Sequence, residues 1–164
     1  MYRFLLFAFV AAVGAVNMDE GLKKCHRAFH PGILRCCSSV PNDSILYERS
    51  KECDAIPKDP INCDHEMCVA KKTGYITDEG DLDKDKIREV IEKNFGGQTE
   101  LLDSIKEKCF DGDLKMYGPP DFCDLIKFKM CFRTQVFIKC PEWNNAGDCK
   151  GVKELAAECA KVFA

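Results

Sequence analysis

The stretch from Asp121 to Pro141, DFCDLIKFKMCFRTQVFIKCP, decides the fold. Asp121 reads as an N-cap, and Asp124 three residues on is favoured at the positive end of a helix dipole. Phe122, Leu125, Ile126, Met130, Phe132, Val136 and Phe137 then lie around most of a helical circumference, the pattern of a helix buried on several sides. A strand from Ile126 to Phe132 competes, because polar and apolar residues partly alternate there. The absence of Gly and Pro as far as Ile138 favours helix.

Outward from this stretch the pattern stays helical. Thr99 through Phe110 puts Leu101, Leu102 and Ile105 on one face, continued by Cys109, and Gly112 and Gly118-Pro119-Pro120 break it. From Asp83 to Phe95, Ile87, Val90, Ile91 and Phe95 share a face that Gly96 and Gly97 end. Cys63 to Lys72 predicts a helix stopping at Gly74, and Asp43 caps a short one through Ser50. A last helix runs from about Gly151 to Phe163, with Val152, Leu155, Ala156, Cys159 and Phe163 on its apolar face. Val16 to Pro41 has no sustained period and carries Pro31 and Gly32 as breakers, so it reads as an irregular, cysteine-stapled extension.

Composition bounds the class. The chain has 164 residues, 24 basic and 27 acidic side chains, 46% hydrophobic residues and 12 cysteines. A net charge of -3 without an arginine-rich block argues against nucleic-acid partners, and the apolar content is that of a folded protein. Residues 1–16 read as a secretory signal peptide: Arg3 supplies the basic start, Phe4 to Val13 the apolar run, and Gly14-Ala15-Val16 the small cleavage residues. That run is shorter than the roughly 20 residues needed to span a bilayer. Residues 17–164 are then a single secreted domain with cysteine-rich extensions at both ends.

An even cysteine number in a secreted chain reads as up to six disulfides, with about 10,000 complete pairings to choose from. The short paired spacings of a zinc site are missing. Asp81, Asp83, Asp85 and Glu92 fall in a calcium-loop register, but its sixth position is Lys86 instead of the glycine that the turn requires, and they serve equally as helix-start acids. No metal or cofactor is expected. His65, within CDHEMC, is a lone candidate base without a partnered nucleophile and reads as a surface group, as do His26 and His30. Secreted phospholipases resemble this chain in their Cys-Cys pair, yet Cys36-Cys37 is followed by Ser38-Ser39-Val40-Pro41 where their catalytic histidine would stand. Lys23, Lys24, Lys71, Lys72, Lys127 and Lys129 read as solvated faces, and Asn42-Asp43-Ser44 is a glycosylation sequon. No catalytic residues are assigned.

The cysteine spacing resembles that of the plus-C group of insect odorant-binding proteins. Cys68, forty residues, Cys109, twenty-one residues, Cys131, eight residues and Cys140-Pro141 follow its framework, and the Cys36-Cys37 doublet with Cys149 and Cys159 is similar to its additions. Four residues between Cys63 and Cys68, where the family usually has three, call for a bulge or a late helix start at Cys63. The resemblance implies Cys37–Cys68, Cys63–Cys131 and Cys109–Cys140, with Cys36 able to exchange with Cys37 and with Cys25, Cys36, Cys53, Cys123, Cys149 and Cys159 in unassigned pairs.

It further implies an all-α, compact, disulfide-stapled bundle of six or more helices around an apolar pocket, acting without catalysis. The function implied is carriage of small hydrophobic molecules, odorants or pheromones, through aqueous lymph. Pocket candidates from the inward faces are Val90, Ile91, Leu102, Ile105, Tyr117, Phe122, Leu125, Ile126, Phe128, Met130 and Phe137. Tyr117 is chosen because its hydroxyl could bond a ligand oxygen. The partners are a small apolar or amphipathic ligand, with a membrane olfactory receptor and a homodimer as further partners to consider. A carrier in haemolymph or reproductive fluid, a secreted protein-binding factor and a lipase-like enzyme are the alternatives.

Overall fold

The computed structural model describes residues 18–26, 30–40 and 50–163; the expected signal peptide, the helix capped by Asp43 and the Asn42 sequon lie outside the described residues. Seven α-helices fall within them: α1 Met18–Cys25, α2 Pro31–Leu34, α3 Asp64–Thr73, α4 Lys84–Phe95, α5 Thr99–Ile105, α6 Asp124–Ile138 and α7 Val152–Ala160. A π-helical turn, Lys106–Phe110, extends α5, and short 3-10 turns occupy Lys51–Ala55, Leu114–Tyr117 and Gly147–Cys149.

The helices start and stop for local reasons. The Asp83 carboxylate accepts a 2.8 Å hydrogen bond from the Lys86 amide at the start of α4, so this acid of the calcium-loop register is a cap. Gly74 ends α3 at φ 77°, a left-handed conformation that glycine adopts without a Cβ penalty. Helix α6 begins later than expected, with Cys123 as its N-cap. It is helical throughout, which disposes of the strand reading of Ile126–Phe132. The amino-terminal extension is more regular than its sequence suggests. Pro31 sits at the first position of α2, where its missing N–H costs nothing, and the His30 ring accepts from the Gly32 amide.

Helix α6 is the axis of the bundle, packing against α2, α3, α5 and α7 and against the turns around Phe110 and Tyr117. Its buried side chains Cys131, Val136 and Phe137 join Leu101, Ile105, Val152, Ala156 and Phe163 in one core, and Thr134 and Gln135 are buried beside them. Such enclosure explains why apolar residues surround α6 instead of forming a stripe.

All twelve cysteines are bridged, but not in the pairs the resemblance implies. The bridges are Cys25–Cys159, Cys36–Cys149, Cys37–Cys140, Cys53–Cys68, Cys63–Cys123 and Cys109–Cys131. This corrects Cys37–Cys68, Cys63–Cys131 and Cys109–Cys140. The physical reason is position. Cys37 is drawn to the carboxy-terminal segment by an antiparallel bridge to Trp143, with the Ser38 amide donating to the Glu142 carbonyl (2.9 Å) and the Asn144 amide to the Cys36 carbonyl (2.8 Å). Its place beside Cys68 is taken by Cys53.

Two systems of staples result. Cys53, Cys63, Cys68, Cys109, Cys123 and Cys131 interlock first to third, second to fifth and fourth to sixth, the order implied above, carried by a different set of six. The other three bridges are nested and zip the two ends of the chain together. Cys63 lies just outside α3 at φ 63°, the late helix start that was one of the two solutions its spacing allowed, and its bridge runs to Cys123.

Candidate functional site

Three helical faces converge on one space. On α3, Glu66, Val69, Ala70 and Thr73 follow the spacing of a single face; on α4, Ile87, Val90, Ile91, Asn94 and Phe95 do; on α6, Leu125, Phe128, Lys129, Phe132 and Arg133 do. They line a pocket of about 460 Å³, completed by Leu34, Val40, Ser50, Tyr75 and Leu82. Tyr75 and Leu82 are held there by a tight turn, in which Ile76 and Leu82 form a bridge and the Asp83 amide donates to the Tyr75 carbonyl at 2.9 Å. Edge-to-face ring pairs fix two of the aromatic walls, Phe95 on Phe132 (6.2 Å) and Phe110 on Phe128 (5.2 Å).

The polar groups collect on α3 and α6. Lys129 donates a 2.7 Å hydrogen bond to Glu66, and Arg133 lies one turn along α6 from Lys129. Burial alone would raise the Glu66 pKa, but the hydrogen bond and charge of Lys129, helped by His65, bring it below the ordinary value. At Lys129 burial prevails over the attraction of Glu66, and Arg133 and Lys58 add repulsion, so its pKa is lowered too. Burial likewise lowers that of Arg133. The Thr73 hydroxyl is spent on its own helix, donating toward the Val69 and Ala70 carbonyls.

Of the expected pocket residues, Val90, Ile91, Leu125 and Phe128 line the space. Leu102, Ile105, Tyr117, Phe122, Ile126, Met130 and Phe137 do not. Ile105 and Phe137 are fully buried in the core, and Leu102 and Met130 pack against it, because they occupy the sides of α5 and α6 turned away from the pocket. Phe122 precedes α6 and lies over Gly118. The Tyr117 ring stacks on Phe163 at 5.6 Å. Its hydroxyl accepts from Gln135 at 3.0 Å, and Gln135 in turn accepts from Ser104 at 2.7 Å, so that hydroxyl is already engaged within the core.

Two further readings are corrected. His65 is buried, with Nδ1 3.4 Å from Glu66 and Nε2 3.9 Å from Asp54, because α3 turns it inward beside the pocket's acid. Lys127 is buried against the 118–120 turn, donating to the Pro120 carbonyl at 3.1 Å, and Lys129 is half-covered at the pocket wall, so neither is a solvated face. Sequence reasoning missed Glu66, Lys129, Arg133, Phe95 and Phe132 as pocket residues; the recurrence of charge at 129 and 133 inside an apolar helix was the available signal.

A second hollow of about 440 Å³ is lined largely by Glu100, Asp103, Ser104, Glu107, Lys108, Gln135 and Lys139. Volume does not separate the two; chemistry does, because an apolar ligand gains from shedding water only against apolar walls. Among the described residues no group of three or more His, Cys, Asp or Glu side chains is placed to hold a metal ion, and no helix is long and apolar enough to cross a membrane. No protein-family model matches the chain, and neither the curated proteins nor the solved structures yield a match.

Proposed function

We propose that this protein is a secreted carrier that takes small hydrophobic ligands into the pocket between α3, α4 and α6 and moves them through an aqueous extracellular fluid. The observation that carries the reading is the convergence of three apolar helix faces on unfilled space within a bundle held by six disulfides. Filling that space would gain about 25 cal/mol per Å² of ligand apolar surface removed from water, and the Cys53–Cys68 and Cys109–Cys131 bridges anchor two of its walls, α3 and α6. The bridges also suit an oxidising compartment.

The interlocked order of the inner bridges supports the likeness to plus-C odorant-binding proteins, and with it odorants or pheromones as cargo. A protein-binding role draws less support: the exposed large apolar side chains among the described residues are Ile61 and Met116, short of a contiguous patch. The test is displacement of a neutral fluorescent apolar probe from the oxidised protein by volatile alcohols, aldehydes, esters and fatty acids. Saturable, micromolar displacement is expected; a folded, fully bridged protein that takes up neither probe nor ligand overturns the proposal.

A further inference from the structure

We infer that Lys129 captures aldehydes covalently and reversibly, as an imine formed inside the pocket, with Glu66 as the counter-ion of the product. The inference rests on the carrier reading and adds a chemical step to it, for cargo with an aldehyde at one end. Its basis is where the amine sits. Lys129 is the one lysine lining the pocket, and residues 1–17, 27–29, 41–49 and 164, outside the described ones, contain no lysine. Lys127, two positions back, is directed to the 118–120 turn, where its ammonium donates to the Pro120 carbonyl.

A lysine attacks a carbonyl as the neutral amine, and burial favours that form. Burial is the largest influence on Lys129 and brings its pKa below the ordinary value of 10.5 in spite of Glu66. The ammonium first gives a proton to solvent, which reaches a side chain that is 36% exposed. The nitrogen then attacks the aldehyde carbon and a C–N bond forms. The new hydroxyl takes the proton back and leaves as water, while the nitrogen lone pair closes C=N and the nitrogen keeps one hydrogen. An ammonium and an aldehyde thus give a protonated imine and water, with no change of charge and no oxidant or reductant. Glu66 accepts a 2.7 Å hydrogen bond from the ammonium and can accept one from the protonated imine in the same way, so capture costs the pocket no ion pair. The alkyl chain lies against Val90, Ile91, Phe95, Phe128 and Phe132, which hold the carbonyl close to the amine and raise its effective concentration.

The experiment treats the oxidised protein at neutral pH with one equivalent of decanal and with sodium cyanoborohydride, whose hydride fixes an imine as a secondary amine. Peptide mapping by mass spectrometry locates the adduct. Lys129 is expected to label about tenfold or more faster than any other lysine, and excess decanol, which fills the pocket without reacting, to suppress that labelling about tenfold. Without hydride, decanal is expected to displace a neutral naphthylamine probe at concentrations about tenfold below decanol. Lys129→Arg keeps a cation beside Glu66 but no primary amine, and is expected to lose both the adduct and the advantage of aldehyde over alcohol.

Probe uptake with adducts spread over the lysines, and no preference for Lys129, overturns this inference and leaves the carrier reading standing. Preferential labelling of Lys129 that decanol leaves untouched also overturns it, since the amine would then react outside the pocket. If Lys129→Arg does not fold, the mapping and the decanol competition in the unmodified protein decide. No probe uptake at all overturns the carrier reading and this inference together.

Discussion

Glu66 on α3 and Lys129 on α6, 63 positions apart in the chain, share a 2.7 Å hydrogen bond at the pocket. The bond ties two of the three pocket walls together with one charge from each. Removing Lys129 leaves Glu66 only the longer His65 contact, and removing Glu66 leaves Lys129 without its 2.7 Å acceptor. Lys129→Met is expected to destabilise the fold by about 1–3 kcal/mol, the range for a buried pair reduced for the solvent that reaches the lysine. The double variant Glu66→Gln/Lys129→Met should lose less than the sum of the two single changes. Urea unfolding of all four proteins measures the coupling, and strict additivity would show that the pair contributes nothing.

The same pair sets an acid response. The Glu66 carboxyl titrates below its ordinary value of 4.5 in the folded chain. A carboxyl lowered by folding adds stability above its unfolded pKa, and loses it as pH falls through the folded value. Below pH 4.5 the protein should therefore lose stability progressively, with Glu66→Gln losing less. Thermal melting across that window is the measurement; parallel curves for both proteins would place the acid sensitivity at other carboxylates.

Phe128 and Phe122 stand six positions apart in similar apolar surroundings, yet only Phe128 lines the pocket. Phe128→Ala should weaken binding of the neutral probe about tenfold, from lost wall contact, while Phe122→Ala leaves it within about twofold. A reversed order in a probe titration would place the ligand on the far side of α6.

Tyr117 and Gln135 form a buried pair with no access to the pocket. Tyr117→Phe removes the acceptor for the Gln135 amide and should cost about 1–3 kcal/mol. Probe affinity should stay unchanged. Loss of binding without loss of stability would mean that the tyrosine faces ligand after all.

The disulfide map is open to direct check. Mass spectrometry of unreduced proteolytic fragments should recover Cys53–Cys68, Cys63–Cys123 and Cys109–Cys131; fragments joining Cys37 to Cys68 would contradict the fold. Nesting also predicts unequal costs. With Cys37–Cys140 intact, Cys36–Cys149 closes little beyond the stretch 140–149, so replacing that pair by alanine should cost about 1–2 kcal/mol. Replacing Cys63 and Cys123 reopens a long loop and releases a left-handed residue, with about 3–4 kcal/mol lost. Denaturant midpoints rank the two.

Helix positions were legible from sequence because they depend on neighbours. Ile87, Val90, Ile91 and Phe95 recur with the helical period, Gly74 and Asp83 mark ends, and these signals survive whatever the helices pack against. The Cys63–Cys68 spacing, one residue longer than a helix face favours, left open a bulge or a late helix start at Cys63, and the structure takes the late start. What the sequence could not carry was the choice among equivalent faces. Helix α6 is apolar nearly all round, so Phe128 and Phe137 look alike until α3 and α4 cover one side and α5 and α7 the other. Cysteine partnership is likewise a matter of distance between remote segments. Cys37 leaves Cys68 to Cys53 because the hydrogen bonds of its neighbours Ser38 and Cys36 to Glu142 and Asn144 hold it beside the carboxy-terminal segment. Local periodicity determined that this chain is helical and its even cysteine number that it is disulfide-bridged; the meeting of α3, α4 and α6 decided where it leaves space and which charges border it.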